Sequence, residues 1–235
     1  MVPAQPNQSL IDGLACLQAL AGGDGPVGSR ELARQLGLEP TRVNRLLKTL
    51  AAVGLAQQDE RRKYHPGPGI HVLAAQALHG SRLLRDALPA LESLHPLGLG
   101  VAMGVLWRDR VAYLYHWSPG LTSAQSIGRS GLFPAVESGL GLALLAEVGI
   151  GEARSRVGGA WSAALRDRLE RARADGFACT PRALRHDRTV AIALNHDRAA
   201  LGLAGRFPDR RIPGLVGALR AAVERIPCTQ TGAPA

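Results

Sequence analysis

As a string of apolar and polar positions, the chain keeps a helical period to about residue 94 and then turns to strands interleaved with helices. Leu10, Leu14, Leu17 and Ala21 give one side of a helix over 9–21, which Gly22 and Gly23 end. Leu32, Ala33 and Leu36 give a second, short helix that Ser29 or Gly28 is placed to cap. Gly37 then supplies a left-handed turn that lets two helices cross steeply. In the third helix, 40–50, Val43, Leu46, Leu47 and Leu50 fall at i, i+3, i+4 and i+7. Gly54 breaks the pattern, and the segments 55–58 and 63–66 flank the charged tip Asp59-Glu60-Arg61-Arg62 as a hairpin. Pro66-Gly67-Pro68-Gly69 is the clearest boundary. Beyond it a helical pattern resumes from Ile70 through Leu73, Ala77 and Leu78, then again through Leu83, Leu84, Leu88, Leu91 and Leu94.

Residues 101–107 and 111–117 read as a hairpin turned by Arg108-Asp109-Arg110. Tyr113, Tyr115 and Trp117 alternate along one face of its second strand, as core or interface residues. Helices are expected over 138–148 and 160–175, the latter with Trp161, Leu165, Leu169 and Ala172 on one face. Strands are expected over 177–180, 189–195 and 199–207, the last two turned at His196-Asp197. A final helix over 213–226 opens with proline. Strands paired through hairpins, with helices grouped between them, indicate an α+β domain on an antiparallel sheet.

The outer face of the third helix is Thr41, Arg42, Asn44, Arg45, Lys48 and Thr49, every one a hydrogen-bond donor, and no acid occurs between Pro40 and Gln58. Such a face suits phosphates and major-groove base edges. The competing reading is an amphipathic surface helix with a solvated basic face. The flanking helix and turn favour a recognition helix, with Arg42, Asn44 and Arg45 for base edges and Thr41 and Lys48 for phosphates. Ser29, Arg30 and Pro40, at the starts of the two helices, complete that surface. Arg61, Arg62 and Lys63 at the hairpin tip suit a phosphate backbone or minor groove. Bulk charge adds little: of a net +9, residues 1–70 hold 8 Lys and Arg against 6 Asp and Glu.

Cys16, Cys179 and Cys228 lie far apart with no C-x-x-C pair, which speaks for a reducing compartment and against a disulfide frame or structural zinc. With no signal segment and no long apolar run, the chain is expected in the cytoplasm. No cofactor or metal is expected. Enzyme motifs fail as well: Gly128-Arg129-Ser130-Gly131-Leu132 lacks the fifth-position glycine of a nucleophile elbow, and His116, His186 and His196 lack metal-ligand spacing.

With both halves laid out, the chain resembles the IclR family of bacterial transcription regulators from about Ser9 to Ile226. LARQLGLEPTRVNRLLKTLAAVGLAQQD, residues 32–59, matches the family's DNA-binding pattern. LFPAVESGLGLALLA within 128–146, DGFACT at 175–180 and RTVAIAL with AALGLAG within 188–205 follow in the family's order. The resemblance implies a winged helix-turn-helix domain (1–69), a linker helix used in dimerisation (70–80) and a GAF-like effector-binding domain (81–235). It implies a homodimer or a pair of dimers on double-stranded operator DNA, under the control of a small-molecule effector, with no membrane partner. A sensor or carrier acting through protein partners, with a vestigial DNA-binding half, is the alternative.

Positions matching the family's effector pocket are Thr122, Gln125, Phe133, Gly139 and Leu140, together with Thr180, Thr189, Ala191, Gly202 and Ala204. Cys179 and His186 lie beside this set. Leu142 stands where the family has lysine, Thr189 where cysteine is common, Gly202 and Ala204 where two serines stand, and Thr180 where an acid stands. The loss of those polar groups predicts a larger, less polar cavity and an aromatic or lipophilic effector. Ser138-Gly139-Leu140-Gly141 opens a helix whose first amides suit a carboxylate or phenolate. Capping and packing alone also account for that stretch.

Overall fold

The computed structural model describes residues 5–128, 131–181, 187–194 and 199–227. The chain separates into two compact units, Met1–Gly80 and Ser81–Ala235. In the first, α1 (Gln8–Gly22), α2 (Ser29–Leu36) and α3 (Pro40–Ala52) are followed by the antiparallel pair β1 (Ala56–Gln58) and β2 (Tyr64–Pro66) and by α4 (Pro68–Ser81). Val27 bridges Tyr64, adding a third, one-residue rung. The core of this unit is Cys16, Leu20, Leu32, Ala33, Val43, Leu47, Ala56 and Tyr64.

The expected face of α1 is not the buried one. Asp12, Cys16 and Leu20 face the core, whereas Leu10 and Leu14 are 61% and 47% exposed. The buried stripe carries a carboxylate among its apolar residues, and that carboxylate meets Gln8 and Arg42. The helix expected from Ile70 starts two residues earlier, inside the run expected to break it. Pro68 opens the helix, where its missing N–H is no loss. Gly67 and Gly69 let this backbone lie on the Gly54 carbonyl, which a Cβ at either would approach to 2.4 and 2.9 Å.

The second unit is a six-stranded sheet in the order β5-β4-β3-β8-β7-β6, every neighbour antiparallel. Its elements are α5 (Leu83–Glu92), β3 (Gly100–Trp107), β4 (Arg110–Trp117), α6 (Ser123–Ser126), β5 (Leu132–Pro134), α7 (Gly139–Glu147), α8 (Ile150–Val157), α9 (Ala163–Asp175), β6 (Ala178–Pro181), β7 (Arg188–Ala193), β8 (Ala199–Gly205) and α10 (Ile212–Glu224). The strand pattern predicted the antiparallel sheet; α6, β5 and α8 were not anticipated. The turn at His196-Asp197 lies outside the described residues.

The two sheet faces differ in size. Val101, Met103, Tyr115, Trp117, Val190, Ile192, Leu201 and Leu203 pack under α5 and α10. The opposite face is Ala102, Ala178, Ala191 and Ala200, with Gly104 and Gly202 between them, and against it lies α7, buried from Gly139 to Ala146. The register between β3 and β4 shifts between Met103 and Gly104, which pair with Tyr115 and Tyr113 and leave Leu114 as an extra residue. This bulge moves Tyr113 to the α7 face, while Tyr115 and Trp117 stay on the other, so the three aromatics do not share a side.

Candidate nucleic-acid interface and effector site

α3 buries Val43 and Leu47 and begins with Pro40 after the N-cap Glu39, whose carboxylate accepts the Arg42 N–H at 2.9 Å. The backbone N–H groups of Arg42 and then Thr41 hold the Glu39 carboxyl below the usual carboxylate range. Thr41, Arg45, Lys48 and Thr49 are exposed along the outer face, and Asn44 is half-buried at its border. Neither Arg45 nor Lys48 enters an ion pair among the described residues. Arg42 differs, because it sits on the flank facing α1 and its Nε lies 2.7 Å from Asp12 Oδ2.

α2 is capped by the Gly28 backbone, leaving Ser29 half-buried and Arg30 exposed in its first turn. Gly37, at φ 65°, closes α2 and turns the chain toward α3. At the hairpin tip Asp59 accepts the Lys63 N–H at 2.7 Å, and Arg62 adopts φ 60°. Arg61, Arg62 and Lys63 all project into solvent. The first unit therefore gathers Arg30, Thr41, Arg45, Lys48 and the tip cations as exposed donors, with Arg42 half-buried and ion-paired to Asp12 through its Nε.

In the second unit, Ser138 caps α7: its Oγ accepts the Gly141 N–H at 3.3 Å and lies 3.1 Å from the Tyr113 hydroxyl. Neither the Gly139 nor the Leu140 N–H donates a hydrogen bond among the described residues. A Cβ at Gly139 would lie 2.6 Å from Thr189 Cγ2, so the helix start rests on β7. Thr180 pairs across strands with Thr189, Ala191 with Gly202, and Thr189 with Ala204. Gly139, Leu140, Thr180, Thr189, Ala191, Gly202 and Ala204 thus converge at one end of α7.

Thr122 and Gln125 do not join them. They cap each other across α6 and are exposed, and that segment is tied to the far face of the sheet through Ser123 and Glu92, 2.6 Å apart. Phe133 stands on the edge strand, 46% exposed, edge-on to Tyr113 at 5.0 Å. Alternation along β4 concealed Tyr113, which links Phe133 to the cap of α7. The expected enlargement at Gly202 is also absent. Leu140 fills that space, its Cδ1 2.6 Å from where a Cβ would stand. Leu142, in the lysine position, is buried in the core.

Burial, and then the Asp12 charge, push the Cys16 thiol above its ordinary range, which disfavours thiolate chemistry. Cys179 is half-buried beside Arg188, whose Nη2 is 3.7 Å from its sulfur. His186, Arg129, Ser130 and Cys228 lie outside the described residues. Among the described residues no group of three His, Cys, Asp or Glu could hold a metal ion, and no helix is long and apolar enough to cross a membrane.

The sequence pattern of the IclR helix-turn-helix domain matches residues 9–60. Among solved structures, an IclR family transcriptional regulator from Brucella abortus superposes with a TM-score of 0.75 at 24% identity, covering 94% of this chain and 92% of that one. A putative IclR regulator from Silicibacter gives 0.77 at 23%, covering 93% and 96%. An IclR homolog from Microbacterium hydrocarbonoxydans, solved with 4-hydroxybenzoate, gives 0.69 at 22%, covering 93% and 97%. No curated protein matches the chain. The resemblance to IclR regulators therefore holds in the DNA-binding domain's sequence and in the fold of both units: a winged helix-turn-helix, then a GAF-like antiparallel-sheet domain.

Proposed function

We propose that this chain, which carries an IclR-type DNA-binding domain within the fold of IclR transcription regulators, binds an operator as a homodimer and releases or grips it according to a small-molecule effector. The observation that carries the reading is the pair Arg45 and Lys48, exposed and outside any ion pair among the described residues, on a helix whose exposed Thr41 sits against the Glu39 cap, beside the cations of the wing tip. Arg42, Asn44 and Arg45 are assigned to base edges, Thr41 and Lys48 to phosphates, and Ser29, Arg30, Pro40 and the tip residues to the flanking backbone. Two such helices in a dimer enter major grooves roughly 34 Å apart, so the operator is a near-palindrome.

A dimer is supported by apolar surface that the chain leaves uncovered. α4 has no buried residue, with Val72 and Leu73 more than half exposed, and Leu10 and Leu14 lie open on α1. For the effector, the amides of Gly139 and Leu140 at the positive end of α7 suit a carboxylate or phenolate, and Tyr113 and Phe133 supply aromatic neighbours. An aromatic acid is the class these groups fit, and 4-hydroxybenzoate, held by the Microbacterium homolog, is the first probe. A coupling of about 1–3 kcal/mol between effector and operator suffices for control.

Titration of duplex DNA selected by the protein from a random library, at two salt concentrations, tests the reading. A regulator gives a steep log–log salt slope and a preferred sequence. A protein that selects no sequence refutes the function and leaves the sensor or carrier alternative.

A further inference from the structure

Asp12 is the only buried acid among the described residues. A carboxylate under a helical core is strongly destabilising unless it is paired. Its first partner is local: Gln8, one turn back on α1, donates to Oδ1 at 2.7 Å. Its second comes from α3, where Arg42 Nε stands 2.7 Å from Oδ2, at ion-pair distance but without an aligned hydrogen bond. The two side chains are unequally covered, Asp12 being 5% exposed and Arg42 35%.

The nearest approach is through the inner nitrogen of the guanidinium, and neither terminal nitrogen of Arg42 makes a hydrogen bond among the described residues. The terminal pair is the fork that grips guanine O6 and N7, or two phosphate oxygens, in bidentate fashion. Arg42 lies in the first turn of α3, the part of a recognition helix that reaches base edges. A free arginine there would lose rotamer freedom on meeting DNA; one already anchored at Nε has lost it beforehand.

We infer that Asp12 is a positioning residue for DNA readout, holding Arg42 from behind so that its terminal nitrogens face a base edge. This rests on the DNA-binding function proposed above and adds to it a specificity determinant on a helix that does not enter the groove.

The full-length protein selects its preferred duplex from random sequence, and wild type and variants are then titrated against that duplex and against single-base-pair changes, at two salt concentrations. Arg42→Ala loses discrimination at one base pair by about 10- to 100-fold. Asp12→Asn keeps the shape and the Gln8 hydrogen bond, yet loses discrimination at the same base pair by about tenfold with the salt slope unchanged. The double variant loses no more than Arg42→Ala alone, because the two act as one unit. Arg42→Lys keeps a cation for Asp12 but has no fork, so it melts like wild type and loses the same discrimination.

If Asp12→Asn discriminates like wild type, if its effect adds to that of Arg42→Ala, or if Arg42→Lys retains discrimination, the inference is overturned. Tighter binding of Asp12→Asn to every sequence, with a slope steeper by about one, also overturns it, since Asp12 would then restrain Arg42 from phosphate. A wild type that selects a duplex while these variants fail the expectation sinks only this inference. A wild type that selects nothing sinks the function and the inference with it.

Discussion

The helices that open onto the two candidate sites, α3 and α7, begin alike and then diverge. Each is capped by a side chain that accepts the amide three residues on, Glu39 from Arg42 and Ser138 from Gly141. α3 then buries only Val43 and Leu47, whereas α7 is buried from Gly139 to Ala146. A helix with one face in solvent acts through its side chains. A helix enclosed on all sides can offer a ligand little beyond its first amides and whatever its neighbours leave open.

The sharpest way to break the comparison is Gly141→Val. The first carbon of that side chain would fall 2.2 Å from the Ala135 carbonyl oxygen, backbone that cannot yield, so the unfolding transition of the second unit should vanish from calorimetry. The matching exposed change on α3, Thr41→Val, should leave stability within about 0.5 kcal/mol. Next comes Arg45→Ala, expected to cost about 1–3 kcal/mol at one operator base pair while the melting curve stays put. Ser138→Ala removes a buried cap and should cost about 1 kcal/mol by denaturant titration without touching DNA affinity. Lys48→Ala should weaken all duplexes alike and flatten the salt slope by about 0.9.

The smallest effect belongs to Glu39. Its carboxyl titrates lower when folded than when free, because two amides favour the ionised form. Its contribution is therefore complete above the free glutamate value of about 4.3 and fades as pH falls through the lower folded value. Denaturant curves of wild type and Glu39→Gln should differ at neutral pH and converge in acid.

What the sequence disclosed depended on how local the signal was. The α3 stripe was legible because Val43, Leu46, Leu47 and Leu50 have no rival face. α1 was misread because Leu10 and Leu14 look like core, and the buried Asp12 makes sense only once Arg42, thirty residues on, is known to meet it. α8 escaped notice although Ala153 and Val157 are buried between Gly149 and Gly158. The filling of the space at Gly202 by Leu140 was beyond reach, since no local pattern says which distant side chain will cover a glycine. Gly139, Leu140, Thr180, Thr189, Ala191 and Gly202 do gather in space, but Thr122 and Gln125 satisfy one another instead.

The extra residue at Leu114 has a practical corollary. Removing it would rephase β4, so that a ring on one side of the insertion would trade its surroundings for those of the other. Tyr113 would leave the company of Ser138, or Tyr115 would leave its contact with His95. Anyone aligning such chains should therefore place a gap here with care, because an offset of one position exchanges a scaffold aromatic for one beside the capped start of α7.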